Sequence, residues 1–129
     1  MSKRVLVADD EPLTADMLAL MLSFTGYDVT RALDGEEALA RAREVQPDVV
    51  LLDVMMPGMT GPSVARALRN DPAFDSKIVV LFSCVDEAEV EWREAGADAF
   101  LQKPISIREL PAVIEELARE KRDVRPSSS

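Results

Sequence analysis

The sequence contains no histidine and only one cysteine, Cys84. A lone thiol cannot form an internal disulfide, and without a Cys/His cluster there is no ligand set for zinc. The chain also has no imidazole that could act as a base, a metal ligand or a carrier of a phosphoryl group. Structural disulfides and zinc sites are therefore excluded, and any histidine chemistry must come from a partner.

Positive charge is also scarce. The chain has 15 Lys and Arg residues against 24 Asp and Glu residues, which gives a formal net charge of -9. A surface of this sign repels a phosphate backbone and an anionic membrane. No apolar run approaches the length that spans a bilayer, and only a short one precedes the first acidic residues. We therefore expect a cytoplasmic protein without membrane insertion or direct nucleic-acid contact.

The chain has the size of one domain, with 129 residues of which 47% are apolar. This is enough for one hydrophobic core and too apolar for a disordered protein. The last segment, residues 119–129 (REKRDVRPSSS), has no apolar periodicity that would anchor it. We expect one domain over residues 1–120 and a flexible tail over residues 121–129.

Short apolar runs alternate with segments of helical periodicity along this domain. The predicted strands are residues 3–8, 28–32, 48–52, 77–82 and 99–102. The predicted helices are residues 13–24, 34–45, 62–68, 86–95 and 106–117. Five strands that alternate with five helices predict an α/β fold, in which helices cover both faces of a parallel sheet.

Polar side chains follow four of the predicted strands. Asp9 and Asp10 follow the first strand, Asp53 the third, Ser83 the fourth and Lys103 the fifth. Because the carboxyl ends of parallel strands meet at one edge of a sheet, we expect these side chains to lie close together. Each alone has an ordinary explanation as a cap, a turn residue or a solvated charge. The combination is what indicates a functional site.

Three carboxylates in one cleft repel one another unless cations neutralise them. The Lys103 ammonium and a hard, oxygen-seeking ion such as Mg²⁺ would do so. The same ion would bridge to a phosphoryl oxygen, which leaves Asp53 as the nucleophile. The expected product is an aspartyl phosphate.

Four segments of the chain resemble the receiver domains of bacterial two-component response regulators. They are VLVADDEP (5–12), LLDVMMPGMTG (51–61), KIVVLFS (77–83) and GADAFLQKPIS (96–106). The resemblance covers residues 3–120. It implies a doubly wound, flavodoxin-like sheet of five parallel strands in the order 2-1-3-4-5 with five helices.

The resemblance also implies a role for each site residue. Asp53 would be the phosphoacceptor and Lys103 the cation that pairs with the phosphoryl group. The implied Mg²⁺ ligands are Asp9, Asp10, Asp53 and the backbone carbonyl of Met55. The implied switch residues are Ser83, whose hydroxyl moves onto the phosphoryl group, and Phe100, whose ring turns inward. A cis peptide bond between Lys103 and Pro104 is also implied.

The implied partners are proteins. The phosphoryl donor would be a phosphohistidine on a sensor histidine kinase or on a histidine phosphotransfer protein. A downstream protein, which the sequence does not identify, would read the surface of helix 4, strand 5 and helix 5. Because no output domain is expected after residue 120, the chain would be a single-domain regulator or relay, or a fragment of a longer protein.

Several residues depart from the family pattern. The stretch between Ser83 and Gly96 is shorter than usual, so helix 4 or the loop before it is expected to be trimmed. Cys84 replaces a small residue, and we expect it to be a small buried hydrophobe. Met55 and Val85 occupy the two positions that, by the resemblance, flank the water attacking the aspartyl phosphate. Because both are apolar, we expect phosphorylated Asp53 to be long-lived.

Two other functions are compatible with parts of the pattern. A degenerate receiver would act as a docking module without phosphorylation, but the complete set of site residues argues against it. A phosphatase with an aspartyl-phosphate intermediate would need a second acid two residues after Asp53 and an insertion that covers the substrate. Met55 occupies that position, and the sequence has no such insertion.

Overall fold

A computed structural model of the chain describes residues 3–106 and 108–124. Five parallel strands form one sheet in the order β2-β1-β3-β4-β5. The strands are β1 Arg4–Ala8, β2 Asp28–Ala32, β3 Val49–Asp53, β4 Ile78–Ser83 and β5 Ala99–Gln102. The predicted α/β class and strand order are confirmed, and each strand lies within one residue of its expected bounds.

The sheet is covered on both faces. The helices are α1 Pro12–Phe24, α2 Gly35–Val45, α3 Gly61–Arg69 and α4 Leu110–Val124. Alternate residues of the buried strands point to opposite faces, so Leu6, Val50 and Leu81 pack with α2 and α3. Their neighbours Val5 and Leu51 pack with α1 and α4 on the other face. The carboxyl edge of the sheet is thereby held between two separate hydrophobic layers.

The helix predicted over residues 86–95 is wrong, so the described residues contain four α-helices instead of five. A single 3-10 turn at Glu87–Glu89 is followed by Val90 in an extended conformation. Acidic side chains at three- and four-residue spacing would repel one another on a regular helix here. The irregular path also lets Val90 and Trp92 pack against the core beside α2 and α3.

A capping box formed by Asp34 and Glu37 opens α2. The Glu37 N–H donates to the Asp34 carboxylate over 2.7 Å, and the Glu37 carboxylate accepts from the Leu33 N–H over 2.8 Å. These bonds satisfy backbone donors that a helix start leaves without partners.

The final helix differs from its expected bounds at both ends. It begins at Leu110, so Pro111 lies in the first turn, where its missing N–H costs no helical hydrogen bond. It continues through Val124, so the predicted domain boundary at residue 120 falls inside the helix. Lys121 Nζ lies 3.2 Å from Asp98 Oδ1. Residues 125–129 of the predicted tail are outside the described residues.

None of the helices in the described ranges is long and apolar enough to cross a bilayer.

Candidate functional site

Three carboxylates meet at the carboxyl edge of the sheet. Asp53 ends β3, and Asp9 and Asp10 directly follow the neighbouring strand β1. Their oxygens can all lie within 4.8 Å of one another. Asp9 is fully buried and Asp53 is 4% exposed, whereas Asp10 faces solvent. The adjacency of β1 and β3 therefore brings Asp53 together with acids that lie 43 and 44 positions before it in the sequence.

Lys103 contacts two of these acids. Its Nζ lies 3.1 Å from Asp9 Oδ2 and 3.3 Å from Asp53 Oδ2. The residue directly follows β5, and the implied cis peptide bond between Lys103 and Pro104 is present. The Lys103 backbone N–H donates to the Ser83 carbonyl over 2.8 Å, which anchors the strand end beside β4.

The cluster contains three carboxylates and one ammonium, so negative charge is in excess. Burial and then the charge of Asp9 raise the pKa of Asp53 to about 6, although Lys103 opposes this rise. Burial would lower the pKa of Lys103, but its contacts with Asp9 and Asp53 outweigh that effect and raise it. Within the described ranges, Lys103 is the one basic side chain that forms an ion pair with any of the three carboxylates, and its partners are Asp9 and Asp53.

The donor set fits Mg²⁺. Carboxylate oxygens are the ligands that this ion prefers, and two of the three acids are buried where they cannot be screened by water. A single ammonium cannot neutralise three carboxylates, so a divalent cation would relieve the remaining repulsion. Asp9, Asp10 and Asp53 are the side chains that could hold the ion, whereas the Met55 carbonyl stays a prediction.

Backbone groups fix the orientation of the two buried acids. The Met55 N–H donates to Asp53 Oδ1 over 3.3 Å, and the Glu11 N–H donates to Asp9 Oδ1 over 2.9 Å. Asp9 therefore stabilises the entry to α1 as well as contributing to the cluster. The ordinary role and the site role of this residue coexist.

Gly61 packs closely against the backbone of Asp53, and it was not among the predicted site residues. A Cβ on Gly61 would lie 2.4 Å from the Asp53 carbonyl oxygen. The Gly61 N–H also donates to the Val54 carbonyl over 3.0 Å. Gly61 directly precedes the helix predicted over residues 62–68, but this close approach arises only because α3 starts directly against the end of β3.

The predicted switch residues lie on the two strands at one side of the sheet. Ser83 ends β4, is 1% exposed, and its Oγ accepts from the Val85 N–H over 3.0 Å. Phe100 on β5 is half-buried against the core layer beside α2 and α3. Ser83 lies at the carboxyl edge of the sheet and Phe100 packs against the core layer, so the two residues could connect the acidic cluster to that layer. Their switching roles stay predictions.

Two neighbours of the site differ in exposure. Met55 is 62% exposed, whereas Val85 is partly buried. The expectation that Cys84 is buried is wrong, because its thiol faces solvent. The chain leaves the sheet after Ser83, so the residue that follows no longer has a covering helix.

Gln102 is a further residue that the sequence did not single out. Its side-chain amide donates to the carbonyls of Ser83, Cys84 and Val85, at 3.2, 2.8 and 3.0 Å. No sequence motif predicts this contact, because it depends on the register between β4 and β5.

Comparisons with known proteins agree with this geometry. The family model described as "Response regulator receiver domain" matches residues 5–115. The DNA-binding response regulator MtrA of Mycolicibacterium smegmatis is 41% identical over 124 residues, which are 95% of this chain and 54% of that protein. The response regulator PleD of Caulobacter vibrioides is 42% identical over 121 residues, which are 92% of this chain and 27% of that protein.

Solved structures show the same fold at nearly equal length. The chemotaxis response regulator CheY4 of Vibrio cholerae has a TM-score of 0.84 and 29% identity, and the match covers 91% of this chain and 99% of that one. A putative response regulator from Chloroflexus aurantiacus has a TM-score of 0.85 and 30% identity, with coverage of 92% and 99%.

The chain spans about half the length of MtrA and about a quarter of PleD. MtrA is named as DNA-binding, so the expected lack of nucleic-acid contact is not confirmed. The match over residues 5–115 and the strand order together show that the chain belongs to the response regulator receiver domain family.

Proposed function

We propose that the chain accepts a phosphoryl group on Asp53 in the presence of Mg²⁺ and signals this change to a partner protein in a two-component phosphorelay. The observation that carries the proposal is the convergence of Asp9, Asp10 and Asp53 within 4.8 Å, with Lys103 in contact with two of them. A structural ion pair would need only one of these acids. The excess of carboxylates over basic side chains in the cluster is typical of a site that binds a cation and a reacting group.

Asp53 would act as the nucleophile. One of its carboxylate oxygens attacks the phosphorus of a phosphohistidine, so a P–O bond forms as the P–N bond of the donor breaks. The Met55 N–H contacts Oδ1 and Lys103 Nζ contacts Oδ2, so these two groups orient the carboxylate. Lys103 would also pair with the phosphoryl oxygens once Asp53 carries the acyl phosphate. Bound Mg²⁺, held by the three acids and the Met55 carbonyl, would offset negative charge on the phosphoryl group.

The signal would leave the site through Ser83 and Phe100. Phosphorylation converts the Asp53 carboxylate, of charge −1, into an acyl phosphate of about −2, and the phosphoryl oxygens attract the Ser83 hydroxyl away from the Val85 N–H. The space that this movement opens lets Phe100 turn inward. Because residues 86–95 form no α-helix, the surface that changes consists of β5, α4 and this irregular segment.

The partners follow from this chemistry. A sensor histidine kinase or a histidine phosphotransfer protein would supply the phosphohistidine, since the chain has no histidine of its own. A downstream protein would bind the surface that changes on phosphorylation, and its identity follows from neither the sequence nor the fold. A cytoplasmic location stays a prediction. A degenerate receiver that only docks is disfavoured by the complete acidic cluster and Lys103.

Acetyl phosphate tests the proposal. We expect wild-type protein incubated with acetyl phosphate and Mg²⁺ to gain the mass of one phosphoryl group, and we expect no gain without Mg²⁺. Asp53→Ala should gain none. Asp75→Ala, which removes an exposed carboxylate at the other edge of the sheet, should behave as wild type. Absence of an adduct on the wild type would favour the docking module instead.

The lifetime of the phosphorylated form provides a second prediction. Met55 and Val85 offer no polar group to orient an attacking water, so Met55→Gln combined with Val85→Gln should lose phosphate about tenfold faster. The measurement is the decay of phosphorylated protein by intact mass after the donor is removed. Leu20→Gln, on the exposed side of α1, is the control. A decay that hardly accelerates, or that slows, would contradict the explanation.

A further inference from the structure

A single side chain ties the loop after Ser83 to the edge strand. The carboxamide of Gln102 donates to three consecutive carbonyls, those of Ser83, Cys84 and Val85. Ser83 and Gln102 are register partners in β4 and β5, so the amide lies directly beside the point where β4 ends. The end of β4, which carries the Ser83 hydroxyl, and the loop that follows it are therefore restrained by a side chain outside the acidic cluster.

The geometry is specific to one loop conformation. A carboxamide has two N–H donors, so three carbonyls can share them only if the loop curls around the amide. The Ser83 Oγ completes the arrangement by accepting from the Val85 N–H. A movement of the Ser83 hydroxyl toward Asp53 breaks that bond, and any accompanying movement of the backbone at residues 83–85 displaces carbonyls that Gln102 holds.

Gln102 also lies between two functional positions. It precedes Lys103, which contacts Asp9 and Asp53, and it follows Phe100 by two residues along β5. Residues two apart on a strand point to the same face, so Gln102 and Phe100 share one side of the sheet. A restraint at Gln102 thus acts on the loop that must move between the phosphorylated residue and the aromatic ring.

We propose that Gln102 is a positioning residue that holds the Ser83–Val85 loop in its unphosphorylated conformation and so controls how readily the receiver switches. This inference rests on the proposed function, because it requires Ser83 to move onto the phosphoryl group. A group that binds one of two conformations more strongly shifts the balance toward it. Removal of the amide therefore favours the switched state and tightens the binding of a phosphoryl group.

Gln102→Met tests this, because it keeps the length of the side chain and removes both donors. Beryllofluoride with Mg²⁺ serves as the phosphoryl mimic. Its binding is followed by the fluorescence of Trp92, the one tryptophan in the chain, and independently by fluorine NMR. We expect the half-saturating beryllofluoride concentration to fall about fivefold, since net hydrogen bonds of this type each change an equilibrium by a few-fold.

A double-mutant cycle with Ser83→Ala isolates the coupling. Without the Ser83 hydroxyl, movement of the loop brings no hydrogen-bonding group to the phosphoryl mimic. Gln102→Met should therefore leave the half-saturating beryllofluoride concentration unchanged in the Ser83→Ala background. A general loosening of the fold would instead weaken anion binding in both backgrounds. An unchanged or raised half-saturation in the single variant, or an equal fall in both backgrounds, would overturn the inference.

The phosphoacceptor role of Asp53 and the positioning role of Gln102 are tested by different results. If Asp53 is not a phosphoacceptor, wild-type protein binds no beryllofluoride and forms no adduct with acetyl phosphate. If Gln102 has no positioning role, wild-type protein does both, and the binding of Gln102→Met fails to strengthen.

Discussion

The Asp53→Asn variant should have a free energy of unfolding about 2 kcal/mol higher than wild type at pH 8 without divalent cations. Burial and the charge of Asp9 raise the pKa of Asp53 in the folded protein to about 6, against 3.8 for an unperturbed aspartate. Ionised Asp53 therefore opposes folding. Asparagine removes this cost, and the loss of the contact with Lys103 offsets part of the gain.

The difference depends on pH in a defined direction. Below pH 3.8 the carboxyl is protonated in both the folded and the unfolded chain, so its ionisation contributes nothing to the difference between the proteins. Between pH 3.8 and about 6 the unfolded chain loses the proton first, so the wild type loses stability relative to the variant. Above this range the difference is constant.

Urea unfolding at a series of pH values measures this effect. Excess Mg²⁺ should narrow the difference in unfolding free energy between Asp53→Asn and wild type, because an ion held by the three carboxylates would stabilise the folded wild type. Asp75→Asn, which neutralises an exposed carboxylate elsewhere, should change stability by less than about 0.5 kcal/mol. A stability gain of Asp53→Asn that does not vary with pH would show that its cause is not the ionisation of Asp53.

The Arg69→Met variant should lose about 3 kcal/mol of stability. The Arg69 side chain is 18% exposed, and its guanidinium donates to the carbonyls of Gly96, Phe74 and Lys77 and to the carboxylate of Asp98. Removal of the guanidinium leaves Asp98 with fewer donors and three carbonyls without this partner. The side chain also packs closely on Gly96, whose φ of +95° favours glycine.

Arg66→Met is the matched control one helical turn earlier. Its ion pair with Glu94 is exposed, with side-chain exposures of 47% and 63%, and should contribute less than about 1 kcal/mol. Arg69→Lys should recover little, because an ammonium cannot reproduce the planar fork of a guanidinium. Equal losses for Arg66→Met and Arg69→Met in denaturant unfolding would contradict this role.

Local sequence patterns were sufficient for the strands and the first three helices. Each strand is a short apolar run that ends at a polar residue, and this signal needs no knowledge of distant contacts. The acids and the lysine at the strand ends could be named for the same reason. A parallel sheet has one carboxyl edge, so naming the strands also places Asp9, Asp53 and Lys103 near one another.

The segment between Ser83 and β5 shows where local patterns fail. Its periodicity indicated a helix, yet Arg69 reaches it from 27 and 29 positions away to bind Gly96 and Asp98. Val90 and Trp92 also gain core contacts that a helix would direct elsewhere. These competing interactions outweigh a weak local preference.

The amino-acid sequence by itself determined the five strands, the first three helices, the family and the residues proposed to carry phosphoryl chemistry, because each depends on short-range pattern and residue type. Only the tertiary structure decided the raised pKa of Asp53, the contact of Gly61 with the Asp53 backbone, the loss of the fifth helix and the restraint from Gln102. Each of these depends on the distance between groups that the chain brings together only when the strands pair and the helices pack.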